Sequence, residues 1–198
     1  MTDHADAVYH LLKNNKGFVT ASQITEAGIP RRCLTEMAVA GTIYKVDRGI
    51  YALPEAWEDE LYFLQYRFTK GIYSHETALY LHSMTDRTPI SYTMTFPKGY
   101  NTGRVRKQHI TTKYIMLENY ELGLTEAISP CGNQLNVYDI ERTLCDIAKV
   151  RHAVDIQVIN QAMKAYASSK KKDIGKLINY AEKLNVKTKV LTYIEVLL

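Results

Sequence analysis

The chain has 198 residues, of which 46% are hydrophobic and 23% charged. That is an ordinary globular balance over a length that allows one domain or two, and it excludes wholesale disorder, collagen, coiled-coil and low-complexity classes. The 25 Lys and Arg against 21 Asp and Glu leave a formal net charge of +4, which admits a nucleic-acid partner without requiring one.

No stretch approaches the roughly 20 apolar residues that span a bilayer, so no membrane partner is expected. The N-terminus, Met1-Thr2-Asp3-His4-Ala5-Asp6, is acidic and carries no apolar core of a signal peptide, and a cytoplasmic location is expected. Cys33, Cys131 and Cys145 are odd in number and lack C-x-x-C spacing, which speaks against a disulfide framework or a zinc site. Phosphate-loop, dinucleotide, H-E-x-x-H and G-x-S-x-G signatures are missing. The reading is therefore a protein without cofactor, metal or enzymatic activity.

The first 56 residues predict a small helical unit that ends in a hairpin. Val8, Leu11 and Leu12 give one apolar stripe to a helix over 5–14. Phe18-Val19 reads as a short apolar connection. Thr20-Ala21-Ser22-Gln23 fits a capping box that starts a helix over 21–27. Gly28-Ile29 makes a turn, and Pro30 suits the first turn of a third helix that runs to about Ala40.

Two helices joined by a Gly-containing turn, the second opening on Arg31 and Arg32, make a helix-turn-helix. In that motif the start of the second helix reaches base edges in the major groove, and the planar arginine fork suits guanine or phosphate. Segments 42–46 and 50–53 predict two strands around an Asp47-Arg48-Gly49 turn, which completes a winged helix-turn-helix with Arg48 at the wing tip. The candidate DNA contacts are Arg31, Arg32, Thr35, Lys45 and Arg48. The unit holds six basic and six acidic residues and so nets zero, and a protein-contact role for the same fold stays open.

Residues 57–198 predict a mixed α/β domain with a helical C-terminal part, so the fold class is α+β with domains 1–56 and 57–198. A helix follows the acidic Glu58-Asp59-Glu60, and a second one covers 74–82 with Ser74 as its cap. Strands are predicted over 90–96, 105–108, 113–117 and 133–137. Helices are predicted near 139–150, 155–167, 173–184 and 187–197.

Charge is uneven here. No acidic residue lies between Asp86 and Glu118, an interval with six basic ones that include Arg104, Arg106 and Lys107. The last 68 residues hold eleven basic and seven acidic side chains. Their excess centres on Lys170, Lys171, Lys172, Lys176 and Lys183, with the last three expected on the solvent side of the 173–184 helix. These residues form a candidate secondary basic surface for DNA backbone, and a plainly solvated face is the alternative.

Three features carry a family resemblance along nearly the whole chain, from about residue 5 to 197. They are the N-terminal winged helix with its Arg48-Gly49 turn, the run Ser74-His75-Glu76-Thr77-Ala78-Leu79, and the run Glu141-Arg142-Thr143-Leu144-Cys145-Asp146. With these the chain resembles the AbiEi family of type IV toxin–antitoxin antitoxins, known from abortive-infection phage-defence operons. The resemblance implies a repressor that binds inverted repeats in its own promoter through Arg31, Arg32 and Arg48. It also implies a C-terminal domain that opposes a nucleotidyltransferase toxin without a lasting complex. A winged-helix protein-interaction adaptor and a DNA-acting enzyme are the alternatives. For the second run, the i, i+4 spacing of Arg142 and Asp146 predicts a pair that ties the helix start to the sheet.

Overall fold

The computed structural model describes residues 2–56, 59–149 and 154–197, and the chain divides into two units, Met1–Arg67 and Phe68–Leu198. In the first unit α1 (Thr2–Asn14) leads through β1 (Phe18–Thr20) to α2 (Ala21–Glu26) and α3 (Arg32–Val39). The hairpin β2 (Tyr44–Asp47) and β3 (Ile50–Ala52) follows, then α4 (Glu60–Arg67). Val8, Leu12, Val19, Ile24, Leu34 and Ile43 bury one another between the helices, which is what the 3.6-residue spacing of α1 and α3 requires.

Three details differ from the sequence expectation. Phe18–Thr20 is a strand, not a connection: it pairs antiparallel with β3 in a three-stranded sheet of order β1-β3-β2. Three residues are too few for periodicity to reveal, and only the partner strand makes them β. The third helix begins at Arg32, because Pro30 and Arg31 belong to the preceding turn. The unit also extends past residue 56, where the sequence reading ends the first domain. Phe63 of α4 stands edge-on to Phe18, ring centroids 5.1 Å apart, and shares a buried cluster with Ile50 and Ala52. That aromatic contact draws a fourth helix into the unit.

The second unit is built on a five-stranded sheet of order β6-β5-β4-β8-β7. Its strands are β4 (Ile72–Tyr73), β5 (Thr93–Pro97), β6 (Thr111–Ile115), β7 (Leu124–Ile128) and β8 (Gln134–Tyr138). Neighbours pair antiparallel at β4–β5 and β7–β8, and parallel at β4–β8 and β5–β6. The helices are α5 (His75–Leu81), α6 (Gly103–Arg106), α7 (Ile140–Lys149), α8 (Ile156–Ser168), α9 (Ile174–Lys183) and α10 (Lys187–Leu197). Leu79 of α5, Leu144 and Ile147 of α7, Met163 of α8, Leu177 of α9 and Val190 of α10 form one apolar cluster.

Here too the sequence reading needs correction. Residues 105–108, read as strand, lie in and after the short helix α6, which delivers the chain from β5 to its parallel neighbour β6. A parallel pair cannot be closed by a tight turn, so the connection takes a crossover. Strand β7 was not anticipated; its residues alternate half-buried and exposed, and pairing with β8 defines it. Ser74 does not cap α5 with its side chain; the hydroxyl is spent elsewhere.

Every residue of α7 from Glu141 to Ala148 is buried. A helix enclosed all round must pair whatever charge it carries. Arg142 is fully buried, and its Nε donates to Asp146 Oδ2 at 3.0 Å. Its Nη1 donates to the carbonyls of Asn119 and Leu122 at 2.8 and 2.7 Å. The guanidinium lies 4.0 Å from the Tyr138 ring centroid, a cation–π geometry. Gly123, at φ 76°, allows this approach: a Cβ there would stand 2.6 Å from Arg142 Cβ. Arg142 therefore does tie the start of α7 to the chain between β6 and β7.

Candidate nucleic-acid interface

The capping box forms as expected. Thr20 Oγ1 accepts the Gln23 N–H at 3.2 Å and Gln23 Oε1 accepts the Thr20 N–H at 2.8 Å, so α2 starts sharply. From that start a hydrogen-bonded line runs across the unit. The Ala21 N–H donates to the carbonyl of Gly49 in the hairpin turn at 2.8 Å. The Thr25 hydroxyl donates to the Ala21 carbonyl at 2.9 Å, and Arg31 Nε donates to Thr25 Oγ1 at 2.7 Å. The hairpin tip, α2 and the residue before α3 are thereby held to one another. Gly49 takes φ 78°, which the turn needs and glycine supplies without strain.

The five candidate contacts are all exposed: Arg31 and Arg32 at the start of α3, Thr35 one turn on, Lys45 on β2 and Arg48 in the turn. They are not equivalent. Arg31 spends its Nε on Thr25, whereas Arg32 has no partner among the described residues. The Arg48 N–H donates to Asp47 Oδ1 at 2.6 Å, and Asp47 is also ion-paired with Arg67 of α4. That carboxylate is thus neutralised at the tip, where it would otherwise repel a phosphate. The role of Arg67 was invisible in sequence, because the two residues are twenty apart and on different elements.

The secondary basic surface changes membership. Lys176 does not face solvent as a free charge: its Nζ lies 3.0 Å from Asp139 Oδ2 and 3.2 Å from Glu141 Oε2. Burial works to lower its pKa, but the hydrogen bonds and charges of Asp139 and Glu141 outweigh it and raise the value. Lys176 is a strut between α9 and the start of α7. Lys172 Nζ donates to the Ala167 carbonyl at 2.8 Å, at the C-terminal end of α8, where a cation suits the helix dipole. Arg106 donates to Thr112 Oγ1 and to the Tyr114 hydroxyl at 3.3 Å each. Arg104, Lys107, Lys170, Lys171 and Lys183 are exposed, with no side-chain partner among the described residues.

Among the described residues, no group of three His, Cys, Asp or Glu could hold a metal ion. Cys33 and Cys145 are buried, and burial, followed by the charge of Asp146, pushes the Cys145 thiol up to about 12, so it is unreactive.

His75 is buried at φ 53°. Burial, then the charges of Lys113 and Arg142, push its imidazole down to about 3 from an ordinary 6.5. Between those values the unfolded chain takes up a proton that the folded one refuses. Stability is therefore complete above about pH 6.5 and falls as pH drops below it, by up to about 1.4 kcal/mol per pH unit. Urea denaturation at a series of pH values is expected to show that slope in the native protein and a shallower one in His75→Asn, since Asn tolerates the positive φ and does not titrate.

No helix among the described residues is long and apolar enough to cross a membrane. No curated protein matches the chain's sequence. Among solved structures, the crystal structure of the RV2827C protein from Mycobacterium tuberculosis is similar at a TM-score of 0.49 and 13% identity, over 98% of this chain and 81% of that one. The family model described as a transcriptional regulator, AbiEi antitoxin, matches residues 6–54, the stretch that carries α1 to α3 and the hairpin. Over this N-terminal segment, about a quarter of its length, the chain is similar to that family of transcriptional regulators.

Proposed function

We propose that the first unit is a winged helix-turn-helix that binds double-stranded DNA at inverted repeats in the protein's own promoter. In this reading Arg32, with Arg31 and Thr35, reads the major groove, and Arg48 and Lys45 hold the backbone. The observation that carries it is the line of hydrogen bonds from Gly49 through Ala21 and Thr25 to Arg31, which sets the hairpin tip and the start of α3 at fixed positions for one duplex. The same reading makes the second unit the part that counteracts a nucleotidyltransferase toxin, without a stable complex; the family match and the two sequence runs support it. A mobility-shift assay with the upstream DNA tests the first part: retardation at lower protein concentration than with scrambled DNA is expected. Equal retardation of both, or none at low salt, turns the reading to a protein-contact role.

The exposed cations of the second unit give an independent expectation. Replacing Lys170, Lys171 and Lys183 by Ala together is expected to flatten the log–log salt dependence of DNA binding by up to about 0.9 per lysine. Lys176→Ala is expected to lower thermal stability and leave that slope unchanged, because its charge is already matched by Asp139 and Glu141. An unchanged slope in the triple variant returns the patch to a solvated helix face.

A further inference from the structure

The flank of α3 that the DNA-binding reading leaves unused forms one wall of a groove with α1. Cys33, Glu36, Met37 and Ala40 line it from α3, at the i, i+3, i+4 and i+7 spacing of a single helix face, and Ala5, Asp6 and Tyr9 line it from α1. Val8 and Leu12 of α1 and Leu34 of α3 are spent on the core of the unit. The cavity measures about 380 Å³, within the roughly 300–1,000 Å³ that small-molecule sites occupy. Ala5 and Ala40 keep the space open, since neither has a side chain beyond Cβ to fill it. Past the end of α3 the chain is fixed. The Thr42 N–H and hydroxyl both donate to the Met37 carbonyl, at 3.1 and 3.0 Å, and Thr42 completes the lining at that end.

The lining is mostly apolar and carries two charges, both negative. Cys33 is buried and Met37 half-buried, while Asp6 and Glu36 are exposed. Among the described residues no basic side chain lines the groove, and neither carboxylate has a side-chain partner. The one lysine of α1, Lys13, lies over the Tyr9 ring at 4.9 Å from its centroid and pairs with neither of them. An anion is repelled here, and a neutral apolar molecule leaves both carboxylates unused. A cation on an apolar body matches both parts. Tyr9 and Met37 supply an aromatic ring and a polarisable, adaptable thioether for the body. A carboxylate accepts the paired N–H groups of an amidinium or guanidinium head.

We propose that this groove binds a small organic cation, an amidinium, guanidinium or ammonium head on an apolar body. Asp6 and Glu36 take the head, and Cys33, Met37 and Tyr9 pack against the body. None of these residues is a candidate DNA contact, so the site stands independently of the DNA-binding reading. A cation held there touches both α1 and α3, the helix that opens on Arg32.

NMR of the full-length protein with methyl-labelled methionine tests this, with benzamidine as the probe and neutral benzamide as its isostere. The Met37 methyl resonance, assigned by its loss in Met37→Leu, is expected to shift saturably with benzamidine. Benzamide is expected to bind about tenfold more weakly, the loss that goes with a charge-assisted hydrogen bond. Asp6→Asn and Glu36→Gln, both at exposed positions, are expected to weaken benzamidine binding severalfold each and to leave benzamide binding unchanged. Ala5→Trp, which fills the groove, is expected to abolish binding of both. No shift of Met37 at millimolar benzamidine, equal affinity for the two probes, or an affinity for benzamidine unchanged in both carboxylate variants overturns the proposal. So does a dimer of the free protein that Ala5→Trp dissociates in sedimentation, since the groove then holds a second copy of the chain.

Discussion

Arg142→Ala is expected to destabilise the second unit by about 3–5 kcal/mol, the range for removing one partner of a buried ion pair. The size follows from what is left behind. Asp146 is buried with it, and burial alone pushes its carboxyl above the ordinary range, with the guanidinium beside it acting in the other direction. Without Arg142 the carboxylate has no counter-charge, and the carbonyls of Asn119 and Leu122 lose their donors. The vacated volume beside Tyr138 adds a cavity term. For a domain of this length the loss corresponds to a fall in Tm of roughly 10–20 °C. Arg142→Lys is expected to recover only part of it, because one ammonium cannot reach the carboxylate and two carbonyls in the geometry of a planar fork. The double change Arg142→Met with Asp146→Leu is expected to be more stable than Arg142→Ala alone, since it removes the stranded charge together with its partner. Calorimetry of the four proteins checks this; a fall of under 1 kcal/mol in Arg142→Ala contradicts the account.

Arg32→Ala is expected to weaken binding to the specific operator by about 1–3 kcal/mol and to relax the preference at one base position. Arg32 is the clearer probe than Arg31, since Arg31 also holds the turn through Thr25, and its loss combines a contact with a local loosening. Thr25→Val separates the two: it removes the hydroxyl that receives Arg31 and bonds the Ala21 carbonyl while leaving every candidate contact residue, Arg31 included, in the sequence. It is expected to weaken binding by less than Arg32→Ala while leaving the base preference intact. Mobility shifts on the operator and on single-base variants of it give both quantities. If Arg32→Ala weakens binding to operator and random DNA equally, Arg32 is a backbone contact and the base reading lies elsewhere.

Much of the first unit was legible from residues alone, and the reason is that its signals are local. The capping box at Thr20 and Gln23 closes within four residues, and the hairpin turn at Arg48-Gly49 is set by its own backbone requirements. The last four helices announced themselves the same way, by apolar spacing. Strands β1 and β7 did not, because a strand of three residues, or one with no buried side, has no pattern apart from its partner. The candidate contacts were legible as a set of exposed basic residues. Their ranking was not, since it depends on Thr25 and Asp47, which meet Arg31, Arg48 and Arg67 only after the chain turns back.

The charge on the second unit divides the same way. Sequence by itself determined that the +4 excess lies outside the N-terminal segment, that the first unit is helix, turn, helix and hairpin, and that Arg142 and Asp146 stand four apart on one helix. Only the tertiary structure decided what those charges do. It buried Arg142 with Asp146 and took Lys176 out of the basic surface by bringing α9 against Asp139 and Glu141. The physical reason is that charge is counted along the chain, whereas its effect depends on burial and on the partner within a few ångströms, and both are properties of the folded chain.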